Sequence, residues 1–302
     1  MPDDNVVIHV GLHKTGSSFL QRHFFPSLPG VQFVDRVAGH KFLDYLRWED
    51  DFVYSAAEAR KIFDACCGRR QPGAVVLLSD EQYYGMPYNG CALRKRNVDR
   101  LAAIFPKSRI VVVLRNPRDM LESLYLQYIK AGGSANWRQF LEYRREFLFV
   151  SNAYFQYGYY IQYLHGLFGK DRVVVQLYED FRSDPAAFLN SWCELLGTPP
   201  NSWDRALLDI RANPSIAPAV APVMRFLNKF VSSPKQPFQL LPRVCYRVSN
   251  RLMLTCSKVF AGKGVKRVIP EQAAKQFLAP CRESNLLLEE LIGTDLAPLG
   301  YT

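Results

Sequence analysis

The chain has 302 residues, 48% of them apolar and 13% aromatic, which is enough to bury a large core and excludes a disordered or collagen-like chain. Its seven cysteines, an odd number scattered from Cys66 to Cys281, form neither a disulfide framework nor a CxxC metal pattern, which points to reduced thiols and a cytoplasmic setting. The net charge of +10 is concentrated between Ile210 and Pro270, a segment with eleven Lys or Arg and no Asp or Glu, so a polyanion is expected there: nucleotide, acidic glycan, anionic lipid or nucleic acid.

Along the chain, the first apolar run, residues 6–10, reads as a buried strand. It breaks into Gly11-Leu-His-Lys-Thr-Gly-Ser-Ser18 and resumes with helical spacing at Phe19, Leu20 and Phe24. A strand–loop–helix turn of this kind aims backbone N–H groups and a helix N-terminus at one place, an anion site. Lys14 adds a cation, and Thr15, Ser17 and Ser18 add hydroxyls. Gly11 and Gly16 have the Walker A spacing, but Lys14 precedes the second glycine and Ser17 stands where the Walker lysine belongs. The loop is therefore built like a P-loop without being a Walker A loop.

Three further runs, 74–79, 109–114 and 172–177, are rich in Val, Ile and Leu without polar alternation, the pattern of parallel strands covered on both faces. Helical stretches are expected around 17–25, 56–66, 92–104, 118–130, 152–168 and 184–197. After Gly197 the chain turns proline-rich and basic, with helices expected at 221–231, 243–260 and 271–292. The fold class is α/β, a P-loop-like three-layer arrangement with a mainly parallel sheet and a helical C-terminal part. One domain is expected over 1–302, its α/β core in 1–200 and its basic, mainly helical part in 201–302.

Ligands of open α/β sheets sit at the carboxyl ends of the strands. Lys14, Glu81, Arg115 and Glu179 each fall just after an expected strand, and their convergence marks a site. Arg115 and Ser123 straddle a strand-to-helix turn, but eight residues exceed two helical turns, so spacing does not decide whether they share a groove. Arg211, Asn213 and Ser215 fit a proline-terminated turn as well as a ligand contact. His9 lies on a strand and reads as packed, while His23, His40 and His165 have no companions at metal-ligand spacing, so no metal is expected. The aromatic stretch from Tyr143 to Tyr163 reads as core more than as a sugar platform. Arg243, Arg247, Arg251 and Lys258 recur at helical spacing beside Val244, Val248 and Leu252, which makes a basic amphipathic helix: either a solvated face or a contact for anionic lipid or acidic glycan.

The loop at 9–21 and the run Arg115-Asn-Pro-Arg-Asp-Met-Leu-Glu-Ser123 together resemble the sulfotransferases that use 3′-phosphoadenosine 5′-phosphosulfate (PAPS), in particular bacterial, carbohydrate-type members. Tyr178-Glu-Asp-Phe181 and the closing Glu283-Ser-Asn-Leu with Leu299-Gly-Tyr301 extend the resemblance over nearly the whole chain. The resemblance implies that His13, Lys14, Thr15, Gly16, Ser17 and Ser18 hold the phosphosulfate end of the donor, and Arg115 and Ser123 its 3′-phosphate. Arg211, Asn213 and Ser215 would lie near the nucleotide. It also implies a metal-free reaction that yields adenosine 3′,5′-bisphosphate (PAP) and sulfates a hydroxyl on a glycan, glycolipid or other small molecule. Lys14 would stabilise the leaving phosphate oxygen. Glu81, its pKa raised by a semi-buried site, would be the general base, with Asp80 a lesser option and His13 the rival.

No basic leader or apolar stretch of signal length opens the sequence, so a cytoplasmic enzyme is expected, touching the inner face of the membrane at most peripherally. Two other classes compete: a P-loop nucleotide kinase or NTPase, and a nucleic-acid-binding protein that uses 210–270. The first lacks an acid after 109–114, and the second lacks any recognisable nucleic-acid module.

Overall fold

The computed structural model describes residues 5–69, 71–87, 89–144, 147–210, 216–233, 240–259 and 267–301. Its main sheet contains β1 (Val6–Gly11), β2 (Val31–Val34), β3 (Val75–Asp80) and β4 (Arg109–Leu114); β5 (Tyr143–Arg144) and β6 (Phe147–Leu148) form a separate antiparallel pair, and β7 (Val173–Leu177) completes the main sheet. The five sheet strands are parallel in the order β2-β3-β1-β4-β7. From β1 the chain winds to one edge, and after β3 it crosses to the other, so the carboxyl ends of β1, β3 and β4 surround a switch point.

Side-chain alternation explains why the strands are apolar on both faces. Val6, Ile8, Val10, Leu78 and Val112 enter one core cluster with the helices Ala56–Cys67, Arg94–Ile104 and Pro117–Lys130. Val7, Leu77, Val111 and Val113 enter the other with Phe24, Phe25 and Trp192. Each face of the sheet thus carries its own helical layer.

Register sets the site. Val10 pairs with Asp80 and Gly11 with Val113, so the loop leaving β1 emerges between Glu81, after β3, and Arg115, after β4.

Several elements depart from expectation for identifiable reasons. The helix expected at 17–25 is a single α-turn, Ser17–Phe19, that widens to a π-helical turn at Leu20–Phe24 and tightens at Phe25–Ser27, where Pro26 lacks an N–H. Both Phe24 and Phe25 are fully buried there. Pro280 likewise divides the helix expected at 271–292 into Glu271–Leu278 and Arg282–Ile292. Of the aromatic stretch, Tyr154, Phe155, Tyr157 and Tyr160 are core. No helix among the described residues is long and apolar enough to cross a membrane.

C-terminal elements are tied into this core. Arg118 donates to Glu122, Glu271 and the Ile269 carbonyl, and Glu122 accepts from the N–H groups of Val268 and Ile269. The helix Arg282–Ile292 packs on Tyr157–Phe168, where Gly158 donates its N–H to Ser284 Oγ at 2.9 Å. A Cβ on Gly158 would stand 2.0 Å from the Ser284 carbonyl oxygen and 2.9 Å from Leu288 N, both backbone atoms. Gly158→Ala is therefore expected to destabilise the fold by about 1–3 kcal/mol or more, read as a lower urea midpoint at unchanged slope. An unchanged midpoint would show that the two helices separate without cost.

Candidate functional site

The anion loop owes its shape to two left-handed residues, Lys14 at φ 69° and Gly16 at φ 83°. A left-handed lysine costs roughly 1–3 kcal/mol, strain of the kind that collects at binding sites. Thr15 is fully buried and gives its hydroxyl to the Leu12 carbonyl at 2.7 Å, so its side chain staples the loop. A Cβ on Gly16 would meet the Phe181 ring at 3.0 Å, which leaves no room for a side chain there.

Ser17 donates to Glu81 Oε1 at 2.7 Å, so the loop and the end of β3 are joined directly. Arg36, which follows β2, holds Asp80 with both Nε and Nη2, at 2.7 and 2.8 Å, and reaches Glu81 Oε2 at 2.9 Å. Asp80 also accepts from Gln82 N, is buried and does not line the cavity. Burial works to raise the Glu81 carboxyl, but hydrogen bonds from Ser17 and its own backbone, with the charges of His13 and Arg36, outweigh it and leave it below the ordinary value. The raised Glu81 expected from sequence is thus reversed, first because the Ser17 hydroxyl and the residue's own backbone N–H stabilise the anion. His13 sits with Nδ1 and its backbone N–H 3.3 and 3.2 Å from Tyr154 Oη. Burial and the neighbouring cations Arg36, Lys14 and Arg47 outweigh the pull of Glu81 and lower it to about 4. At neutral pH both groups are in their proton-accepting forms.

Arg115 connects the halves of the site. Its Nη1 donates to the Lys14 carbonyl at 2.9 Å, its guanidinium lies 4.8 Å from the centre of the Tyr178 ring, and its buried Nε has no hydrogen-bond partner. A cavity of about 710 Å³ opens here, lined by His13, Lys14, Gly16, Ser17 and Ser18 of the loop together with Glu81, Arg115 and Ser123. That volume lies within the range of small-ligand sites. The ambiguity of the eight-residue spacing is resolved, since the helix Pro117–Lys130 enters so that Ser123 shares the cavity with Arg115.

Other lining residues carried no sequence signal: Gln127 and Lys130 at the end of that helix, Ile216, and Tyr246 and Asn250 from the helix Arg243–Val259. Arg211, Asn213 and Ser215 lie outside the described residues. Glu179 is a brace rather than a ligand group: it accepts from Asn116 N at 2.9 Å and from the Tyr301 hydroxyl at 3.1 Å. His9 is packed, with Nδ1 2.7 Å from Ser79 Oγ and its ring edge-on to Trp192. Among the described residues no group of His, Cys, Asp and Glu is placed to hold a metal ion.

The arrangement is a cationic cavity with a carboxylate at one wall. Burial first, then the charges of Lys130 and Arg115, lower Lys14 to about 8. An anion bound there would relieve the charge that Lys130 and Arg115 place on Lys14.

Residues 31–204 match the profile described as the sulfotransferase family, which covers more than half of the chain. The chain belongs to the sulfotransferase family. The matched span begins after the anion loop, so residues 11–18 stand on their own geometry. In fold, this sulfotransferase is similar to the crystal structure of a sulfotransferase from Alicyclobacillus acidocaldarius, with 19% identity, 99% of this chain and 98% of that chain covered, and a TM-score of 0.55. Fainter likenesses include the sulfotransferase domain from the Synechococcus PCC 7002 olefin synthase, at 15% identity, 86% and 95% coverage and a TM-score of 0.38. Mouse sulfotransferase SULT7A1, complexed with PAP, follows at 11% identity, 97% and 90% coverage and a TM-score of 0.35. No curated protein matches.

A pH dependence follows from Lys14. Only its ammonium form carries a charge complementary to an anion, and that form is lost as pH rises through about 8 in the free enzyme. The sulfotransferase should therefore show kcat/KM falling above about pH 8, and the fall should move to higher pH in kcat, because a bound anion raises the lysine pKa. Lys14→Arg, with a permanent charge, should flatten this limb. A wild-type profile that stays level through about pH 8 would remove the lysine from the account.

Proposed function

We propose that this cavity binds PAPS and that the sulfotransferase transfers its sulfuryl group to a hydroxyl acceptor, on a carbohydrate or glycolipid. The observation that carries this reading is the convergence of two anion-binding segments, 11–18 and 115–123, on one cavity with Lys14, Arg115 and Lys130 in its walls. The donor supplies an activated sulfuryl group on a phosphosulfate; everything else is the work of the chain's own residues. Backbone N–H groups of the loop and Lys14 Nζ hold the phosphosulfate end, with Ser18 beside them. Arg115, through the Nε that lacks a partner, and Ser123 Oγ take the 3′-phosphate. Tyr178 and Phe181 give the nucleotide an aromatic wall.

On the acceptor side, Glu81 carries the ionised carboxylate and takes the hydroxyl proton. Ser17 and Arg36 fix its orientation, at the expense of some basicity. Lys14 meets the charge that builds on the oxygen left behind. His13, neutral and adjacent, is the alternative proton acceptor. The test is to incubate the protein with PAPS and fractionated glycans and glycolipids, then search by mass spectrometry for products heavier by one sulfuryl group. Conversion of PAPS to PAP only in the presence of such an acceptor is the expected result. No product with any hydroxyl compound, alongside phosphate transfer from ATP, would overturn it.

A further inference from the structure

The helix Arg243–Val259 has two unlike faces. Inward, Tyr246 donates its hydroxyl to the Lys130 carbonyl at 2.6 Å, Asn250 Nδ2 lies 3.4 Å from the same oxygen, and both residues line the cavity. Outward, Val244, Val248 and Leu252 recur every four residues and are 61%, 64% and 58% exposed. Arg247 and Arg251 stand exposed beside them. An aliphatic row kept in water forgoes about 25 cal/mol for each Å² it could bury.

The row continues into neighbouring structure. Leu240 and Leu241, at the start of the helix, are 84% and 45% exposed, and Leu241 N donates to the Phe230 carbonyl at 2.8 Å. Phe230 and its ring neighbour Phe226 are 39% and 59% exposed, and the helix Ala221–Leu227 packs against Arg243–Val259. All of this lies in the span from 210 to 270, whose eleven Lys or Arg are opposed by no Asp or Glu. A phosphate backbone would reward the cations and leave the aliphatic and aromatic side chains in water. An anionic bilayer rewards both, since apolar groups enter the headgroup–acyl boundary while arginines meet lipid phosphates.

We propose that the outward face of the helix Arg243–Val259 seats the sulfotransferase on an anionic lipid surface, with Val244, Val248 and Leu252 inserted and Arg247 and Arg251 at the phosphates. The cavity wall and the lipid face are then opposite sides of one helix, about 10–12 Å thick. The acceptor follows as an amphiphile that presents its hydroxyl at the headgroup plane, a consequence that rests on the proposed function, whereas the docking itself does not.

The experiment is flotation of the full chain with vesicles of phosphatidylcholine alone and of phosphatidylcholine mixed with phosphatidylglycerol. Affinity for the anionic vesicles should exceed that for neutral ones by roughly tenfold or more and should weaken with added salt. Val248→Asp combined with Leu252→Asp should reduce that affinity by about tenfold or more, with the thermal midpoint and PAP affinity unchanged. Arg247→Gln combined with Arg251→Gln gives a second reading in which the apolar row is intact, and should abolish the preference for anionic vesicles. Wild type that fails to float, or variants that float as well as wild type, would overturn the proposal. So would a dimer, seen in sedimentation, that the aspartates split while vesicles go unbound, since the face would then belong to a second copy. Vesicle binding without PAP binding would remove the proposed function and leave the docking intact.

Discussion

Glu81→Gln is expected to lower turnover by about 10²- to 10⁴-fold, the range for loss of a general base. The substitution keeps the shape and one acceptor oxygen, so Ser17 retains a partner, and Arg36 stays anchored by its paired contacts to Asp80. What is lost is the carboxylate that, in the proposed reaction, takes the proton. Nucleotide affinity should change by no more than about twofold, because the carboxylate serves the acceptor. His13→Ala should cost far less, since in the proposed reaction the proton goes to Glu81, while the imidazole rests against the Tyr154 hydroxyl. Steady-state turnover and calorimetric nucleotide affinity on both variants decide the matter. Near-normal turnover in Glu81→Gln with an inactive, nucleotide-binding His13→Ala would transfer the role to the histidine.

Lys14→Ala is expected to cost about 10²- to 10³-fold in turnover and much less in donor affinity. In the proposed reaction donor binding is shared with the loop N–H groups, Arg115 and Lys130, all at the cavity, whereas charge on the departing oxygen is met chiefly by the lysine ammonium. Single-turnover rates at saturating donor separate these effects. A variant that loses affinity in full proportion to rate would make Lys14 a binding residue only.

Much of this was legible because the decisive residues sit beside strong local signals. The strands β1, β3, β4 and β7 announce themselves as apolar runs, and Lys14, Glu81 and Arg115 come immediately after them. β2 was missed because Val-Gln-Phe-Val is short, polar at one position and placed at the sheet edge. With it went Arg36, the residue that tunes Glu81, which has no motif and is brought to the site only by the pairing of β2 with β3. Tyr246 and Asn250 were invisible for a related reason. They arrive through packing of a remote helix against the end of Pro117–Lys130, and no local pattern records such a contact. Thr15 shows the opposite limit: its hydroxyl read as a ligand donor, but the loop consumes it at the Leu12 carbonyl. Glu179 follows a strand like the others, yet Asn116 and Tyr301 occupy it.

If one cavity reads both phosphate ends of the donor nucleotide, a pair of calorimetric titrations will show it. Wild type and Arg115→Ala would each be titrated with PAP and with adenosine 5′-monophosphate, which lacks the 3′-phosphate, and wild type also with ATP. Wild type should prefer PAP to the monophosphate by roughly 10- to 100-fold, the worth of a charged hydrogen-bonded contact, and should bind ATP more weakly than PAP. Arg115→Ala should lose most of that preference while its affinity for the monophosphate stays near that of wild type. Equal discrimination in the two proteins, or tighter binding of ATP than of PAP, would contradict the account.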